Sequence, residues 1–323
     1  METLQQEQKR ILTRAITESR ENVFSRYGKT PSFSLTERLL KYTLTFFGWL
    51  TVVITLLIAY ILIQDGVLFF SKVSPVDYFF GREWAPFGQP KKFGVLPLVN
   101  GTLMIAIGSI VIAAPLGLLT AVFLTQYATR QVREVTIPLI EILGGIPTVV
   151  YGYFALDVIT PLLKKVFPEI EIFNALSATI VVGISLIPLV ASLSADSIRA
   201  VPKSIQMGGY ALGLTKFHVV TRIIVPAAFS GIVASVILAF ARAIGETMAV
   251  TLAAGASPKL TLNYLESIQT MTAFIVQISL GDTPYGSIEY YTIYAVGLHL
   301  FLITLAFNWL ALQLVRKYRE VYR

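Results

Sequence analysis

Six apolar runs, each long enough to cross a bilayer as a helix, decide what this chain can be. A hydrocarbon core takes about 20 residues of helix, and the runs at 44–63, 98–125, 135–163, 174–195, 227–253 and 290–315 all meet that length. The first, second and fourth carry no charge. The third holds Glu141 and Asp157, the fifth Arg242 and Glu246, and the sixth His299. Lipid offers no hydrogen bonds to an open backbone, so a span is a helix or part of a closed barrel. None of the runs shows the period-two alternation of a barrel strand. Composition agrees: 14% of residues are charged, against about 25% in a soluble domain. The expectation is an all-α integral membrane protein, with a tail at 1–43 and a six-helix domain at 44–323.

Lys and Arg set the expected orientation. With the N-terminus in the cytoplasm, the inside segments 1–43, 126–134, 196–226 and 316–323 hold 18 of the 26 basic residues. The outside segments 64–97, 164–173 and 254–289 hold seven, and Arg242 lies within a span. This bias predicts both termini inside. The net charge of +7 then belongs to cytoplasmic loops and gives no reason to invoke nucleic acid. The first run lies behind 43 polar and charged residues with no small-residue cleavage site after it, so it reads as a retained helix. The chain has no Cys, which excludes disulfides and thiolate chemistry, and two His, which argue against a His-based metal centre. Gly28-Lys29-Thr30 ends like a phosphate-binding P-loop, but Val23 stands where the motif needs Gly. No cofactor is expected.

The segment 196–226 is long for a helix connector. Its pattern is a short helix from Pro202, a stop at Gly213, a second short helix, and Pro226 where the next span starts. Gly past a helix end and Pro at a helix start fit their backbone preferences. Nine residues separate Gly213 from Ile223, which is followed by Ile224, Val225 and Pro226.

That spacing resembles the signature of the membrane-spanning permeases of ABC importers: Glu-Ala-Ala, three residues, Gly, nine residues, Ile, one residue, Leu-Pro. Met207, Gly208 and Gly209 stand at the Glu-Ala-Ala positions, and Val225 replaces Leu. The resemblance implies a type I importer permease bundle whose loop is a coupling helix docking on a separate ATPase subunit. Ile205, Gly209, Tyr210, Leu212 and Gly213 would carry that contact. The missing acid removes any charged contact from position 207. Four further stretches look like the phosphate-specific branch and its PstC-type subunit. They are 93–102, 144–152 (Gly-Gly-Ile-Pro-Thr-Val-Val-Tyr-Gly), 211–213, and Gly231 with 242–250 (Arg-Ala-Ile-Gly-Glu-Thr-Met-Ala-Val). The implied partners are a second permease subunit, an ATPase dimer on the cytoplasmic face, an external phosphate-binding protein, phosphate and the bilayer. The implied setting is a prokaryotic plasma or inner membrane. The implied role is transport, with ATP hydrolysed by another chain.

Arg242 and Glu246 are the charged pair of the fifth run. An Arg at a helix centre costs about 2.5–3.5 kcal/mol on the insertion scale. At i and i+4 of one helix the two side chains share a face. One reading is a self-neutralising pair that packs this helix. The other makes Arg242 a bidentate grip for an oxyanion, held and compensated by Glu246, with Thr247 adding a donor. The family resemblance implies the second.

Other polar residues carry less. Glu141 reads as structural and His299 as a satisfied core residue, while Asp157 lies near a span end. Gly144-Gly145-Ile146-Pro147 should kink the third helix, and Pro115 and Pro188 have the same reading. Tyr151 and Tyr153 are either pathway residues or interfacial anchors. An ion-driven secondary transporter would need inverted repeats, which are not evident. A membrane enzyme would need several converging acids or bases. A permease for molybdate or sulfate differs from the leading reading only in its oxyanion.

Overall fold

The computed structural model describes residues 35–318, with side chains described through 313 except at 36. Most of the tail expected at 1–43 lies outside these residues. Fourteen helices and one two-stranded hairpin make up the described chain. It forms two units, one ending at Tyr60 and one beginning at Ile61.

Helix α1 spans Leu35–Phe70, starting nine residues before the first apolar run and ending seven after it. Leu44, Phe46, Trp49, Leu56 and Tyr60 are all exposed, which suits a helix whose solvent is lipid.

The 64–97 segment is folded rather than open loop. Helix α2 (Pro75–Phe80) precedes strands β1 (Trp84–Ala85) and β2 (Lys92–Phe93), which pair antiparallel with Trp84 opposite Phe93. Phe69, Tyr78, Trp84, Val95 and Leu98 form a buried cluster with Met271, Phe274 and Val296. The Trp84 and Phe274 rings meet edge-on at 4.9 Å, and the Tyr78 hydroxyl donates to the Ala295 carbonyl at 3.2 Å.

Two long helices hold the main core: α3 (Leu96–Val122, continued by a π turn at Phe123–Tyr127) and, further along, a second described below. Between them the third predicted span is divided. Helix α4 (Arg130–Gly145) bends by 88° into α5 (Thr148–Phe154), a π turn at Ala155–Ile159, and α6 (Thr160–Lys164). Pro147 has no N–H and forces Ile146 out of helical conformation, so Ile146 sits at ψ 128 and Pro147 at ψ 136. The expected kink is therefore a complete break.

Helix α7 (Ala175–Arg199) starts at Asn174, whose Oδ1 accepts from the Ser177 N–H at 2.7 Å. It packs along α3 through small residues. A Cβ on Gly117 would lie 2.7 Å from Val190 Cβ, and one on Gly183 would lie 3.0 Å from Ile112 Cβ. Helices without side chains at the contact approach closely, which is how association is driven where lipid supplies no hydrophobic force. Pro115 and Pro188 sit inside α3 and α7 without breaking either.

Helices α8 (Lys203–Ala211) and α9 (Lys216–Val219) follow, then a π turn at Val220–Ile224 and α10 (Val225–Ala227). Helix α11 (Phe229–Ile244) is bent by 67° from the Lys216–Ala227 stretch. The fifth predicted span is thus not one helix: α11 stops at Ile244 and α12 covers Met248–Ala253.

Residues 254–270 fold back along the bundle. The Leu176 and Ala175 N–H groups donate to the Tyr264 and Glu266 carbonyls at 2.8 and 3.0 Å. The apolar helix α13 (Met271–Leu280) has no counterpart in the sequence reading. Helix α14 (Ile288–Tyr318) closes the described chain. Four helices are long and apolar enough to cross a bilayer alone, and two bent pairs bring the total to six.

Candidate substrate pathway and coupling segment

Arg242, Glu246 and Thr247 lie at the junction between α11 and α12. Arg242 is in the last turn of α11, where a cation is favoured by the helix dipole. Gly245 ends the helix at φ −86, ψ −1, and Thr247 sits at φ −116, ψ −63. The expected i, i+4 pairing is therefore lost, because the helix ends before Glu246. No ion pair or hydrogen bond joins Arg242 to Glu246 among the described residues. Glu246 instead caps α12: its Oε1 accepts from the Thr247 and Ala249 N–H groups at 3.2 and 3.4 Å. The first N–H groups of any helix lack partners within it, and the Glu246 carboxylate meets that need. The Glu246 carbonyl, left without a helical partner by the break, accepts from Thr272 Oγ1 at 2.8 Å. The Thr247 hydroxyl donates to the Gly245 carbonyl at 3.0 Å.

The two breaks meet. Gly152 in α5 lies against α12, where a Cβ would come within 2.8 Å of Leu252 Cβ and 3.3 Å of Ala249 Cα. Tyr151 is buried, and its hydroxyl spans the first break to donate to the Leu143 carbonyl at 2.7 Å. Arg242 is exposed and makes no hydrogen bond or ion pair among the described residues.

The far end of α12 is anchored by polar groups with no short-range sequence signal. The Asn174 N–H donates to the Ala253 carbonyl at 3.0 Å, and Asn174 Nδ2 donates to Thr160 Oγ1 at 3.2 Å. Thr160 and Ser177 share a hydrogen bond at 2.8 Å. The Ser267 N–H donates to Glu171 Oε2 at 2.8 Å, and Lys259 lies 3.3 Å from Glu171 Oε1. The Ser267 amide, with Lys259 second, holds the Glu171 carboxyl below the usual carboxylate range. The hydrogen bond to Glu171 in turn raises Lys259.

The remaining singled-out residues separate into two groups. Glu141, Asp157 and Tyr153 are exposed, and α4 has no buried residue at all. His299 packs against Tyr78 and Phe79 at 5.8 and 5.3 Å between ring centres. It is not satisfied as expected: its Nδ1 is buried without a hydrogen-bond partner. The aromatic rings around it offer no strong acceptor, which is why the apolar-face reading gave the burial and missed the missing bond.

The 203–226 segment has the helix, glycine stop and second helix its sequence suggested, but Pro226 does not open the next span: it lies inside the helical stretch Lys216–Ala227, and the 67° bend follows at Ala228. Gly213 takes φ +78 just after α8, a left-handed conformation that glycine adopts without a Cβ penalty. Two bonds close the helix end, from the Leu214 N–H to the Gly209 carbonyl at 3.2 Å and from the Gly213 N–H to the Tyr210 carbonyl at 2.9 Å. This is the 6→1 and 5→2 pattern of a Schellman cap. Gly209 is buried, with the tip of the Ile223 side chain 2.5 Å from where a Cβ would stand. Ile205 is half-buried, while Tyr210 and Leu212 are exposed, Leu212 at 82%. The five residues thus divide: Gly209 and Gly213 build the turn and its packing, and Tyr210 and Leu212 project.

The described chain is thus a helical bundle with two bent helix pairs and a capped helical hairpin after the fourth span. Residues 113–320 match the family model described as the binding-protein-dependent transport system inner membrane component, and the chain belongs to that family. A probable ABC transporter permease protein, YqgH of Bacillus subtilis, is 37% identical over 235 residues, covering 73% of this chain and 76% of its own. The phosphate transport system permease protein PstC of Mesorhizobium japonicum is 30% identical over 245 residues, covering 69% of this chain and 73% of that protein. In fold, the chain is similar to the crystal structure of a bacterial ABC transporter involved in the import of the acidic polysaccharide alginate. That likeness has a TM-score of 0.60 at 14% identity, covering 88% of this chain and 99% of that one. The chain is a multi-pass permease subunit of an ABC importer.

Proposed function

We propose that this chain forms half of the pathway of an ATP-driven phosphate importer, with Arg242 as its anion contact. The observation that carries this reading is an exposed Arg within a membrane-spanning region, with no carboxylate partner among the described residues. Such a residue is retained where it faces a polar cavity or a ligand, and a guanidinium fits a tetrahedral oxyanion bidentately. The names of its PstC relatives favour phosphate.

In this reading Glu246 sets the position of Arg242 indirectly. By capping α12 it fixes the break, and it leaves the guanidinium free for an anion. A carboxylate bound to Arg242 would compete with phosphate, so its engagement with backbone N–H groups favours binding. Thr247 contributes to the turn. Both termini face the cytoplasm. Tyr210 and Leu212 project from α8 to dock on an ATPase subunit, and Gly209 and Gly213 shape that surface. A second permease subunit supplies the other half of the pathway, and an external phosphate-binding protein delivers the anion. ATP-driven closure of the ATPase dimer moves the coupling segment and switches the bundle between outward-open and inward-open states.

The test is labelled-phosphate uptake in cells lacking their own high-affinity system, complemented with this chain and its partners. Arg242→Gln should assemble at wild-type abundance and lose ATP-dependent uptake. Normal uptake in that variant removes Arg242 from the mechanism. An assembled wild-type complex without phosphate uptake redirects the substrate to molybdate or sulfate.

A further inference from the structure

A cavity of about 560 Å³ opens beside the hairpin of the 64–97 segment, lined by Lys72, Arg82, Lys91, Lys92, Asp77 and Glu83 among others. Four cations face two carboxylates. Its floor is backbone: Gly81 and Gly94 touch so closely that a Cβ on Gly81 would stand 2.6 Å from Gly94 Cα.

Two of the cations are held in place. Lys91 pairs with Glu289, and the Lys72 ammonium lies 5.6 Å from the centre of the Tyr291 ring. Both partners belong to the first turns of α14, so the cavity is fixed to a long helix. Arg82 and Lys92 are exposed and have no ion-pair partner among the described residues. Asp77 and Glu83, although they line the same space, pair with neither.

The position of the cavity bears on its ligand. Lys72 follows two residues after the end of the apolar helix α1 at Phe70. Helix α2, beside it, exposes Val76 at 65% and Phe80 at 75%. Basic groups next to exposed aromatic and aliphatic side chains at a span end can reach the headgroup level of a bilayer. The volume falls within the range of small-ligand pockets and exceeds what a bare oxyanion needs.

We propose that this cavity binds a phosphate group, supplied by an anionic phospholipid headgroup or by free inorganic phosphate, independently of Arg242. Lys72 and the Glu289-paired Lys91 form a fixed wall. Arg82, with its planar fork, and Lys92 close on the phosphate oxygens.

The test uses the complete complex and two probes. Native mass spectrometry measures retained phosphatidylglycerol against phosphatidylcholine. In phosphatidylcholine nanodiscs, inorganic phosphate is titrated against acylation of Lys72. Removing both unpaired cations in the double variant Arg82→Gln/Lys92→Gln should weaken binding of the effective probe by up to roughly 30-fold, from up to about 1 kcal/mol per exposed charge contact. The charge-keeping double variant Arg82→Lys/Lys92→Arg should retain it and shows that loss is not misfolding. Binding of phosphatidylglycerol alone identifies the headgroup as the source, and protection by phosphate alone identifies the free anion. Equal behaviour of wild type and the charge-removing variant with both probes overturns the site. Loss of binding in Arg242→Gln overturns its independence from the pathway.

Discussion

The two breaks that meet between α5 and α12 are made by different means. At Ile146–Pro147 the interruption is covalent: the backbone is extended at ψ 128 and 136, and proline lacks the donor that would restore a helix. At the second break, Gly245 and Thr247 remain on the helical side of the backbone map. What holds that second break is a set of hydrogen bonds from elsewhere, from Thr272 to the Glu246 carbonyl and from the α12 amides to the Glu246 carboxylate. A break held by removable partners can change state, whereas one held by proline keeps its form. Gly152 brings the helix after the proline break against the helix after the second one, and Arg242 stands in the last turn before that second break.

The largest effect should come from separating the two. Gly152→Val places methyl groups where Leu252 and Ala249 already lie, and overpacking of this kind costs about 1–3 kcal/mol. The melting temperature of the assembled complex should fall and uptake should drop with it. An unchanged melting temperature means the two short helices are not locked together.

Next is the capping role of Glu246. Loss of a helix cap costs about 0.5–2 kcal/mol, so Glu246→Ala should destabilise the complex, and Glu246→Gln, which keeps an acceptor, should destabilise it less. A double-mutant cycle with Arg242→Gln should show little coupling in stability. A coupling as large as the single effects would restore the ion pair between the two residues.

Thr272→Val and Tyr151→Phe then compare the breaks directly. Each removes one hydrogen bond worth about 0.5–1.5 kcal/mol. Thr272→Val should alter uptake, because the second break has no proline to keep it. Tyr151→Phe should cost stability with little change in uptake, because Pro147 still holds its break. Equal uptake defects in the two variants remove the distinction.

The same contrast explains what could be read from the sequence. Apolar length gave the spans, and Pro147 and Gly213 gave punctuation, because proline and glycine act on the backbone locally; Pro226 did not, since the helix runs through it to Ala227. Gly245-Glu246-Thr247 carries no such residue beyond one glycine, so the fifth run looked continuous and the i, i+4 pairing followed from that. Residues Arg242, Glu246 and Thr247 were legible as positions, but their relation depends on Thr272, 26 residues away from Glu246. Likewise, α13 is too short at 10 residues to read as a span. The alignment of 171–176 with 264–266 rests on backbone bonds that leave no periodic trace.

The smallest predicted effect lies at that alignment and depends on pH. Glu171 accepts the Ser267 N–H and pairs with Lys259, and its carboxyl is held below the usual value, about 4.3 in an unfolded chain. A carboxylate with a depressed folded value contributes stability that is present above the unfolded value and is lost as pH falls through the folded one. Lys259 is shifted upward, so its contribution is present below its unfolded value, about 10.4, and is lost as pH rises through the folded one. Between roughly pH 5 and 10 this cluster should therefore give a flat stability profile. Both side chains are exposed, Lys259 at 45% and Glu171 at 43%, so the effect is small and shrinks with added salt. Glu171→Gln retains an acceptor for Ser267 but cannot titrate. Melting curves of the complex should show wild type and variant separated by a constant difference above about pH 5 and converging as the pH is lowered further. A difference that stays constant through the acid range would mean that the Glu171 charge does not hold the loop against α7.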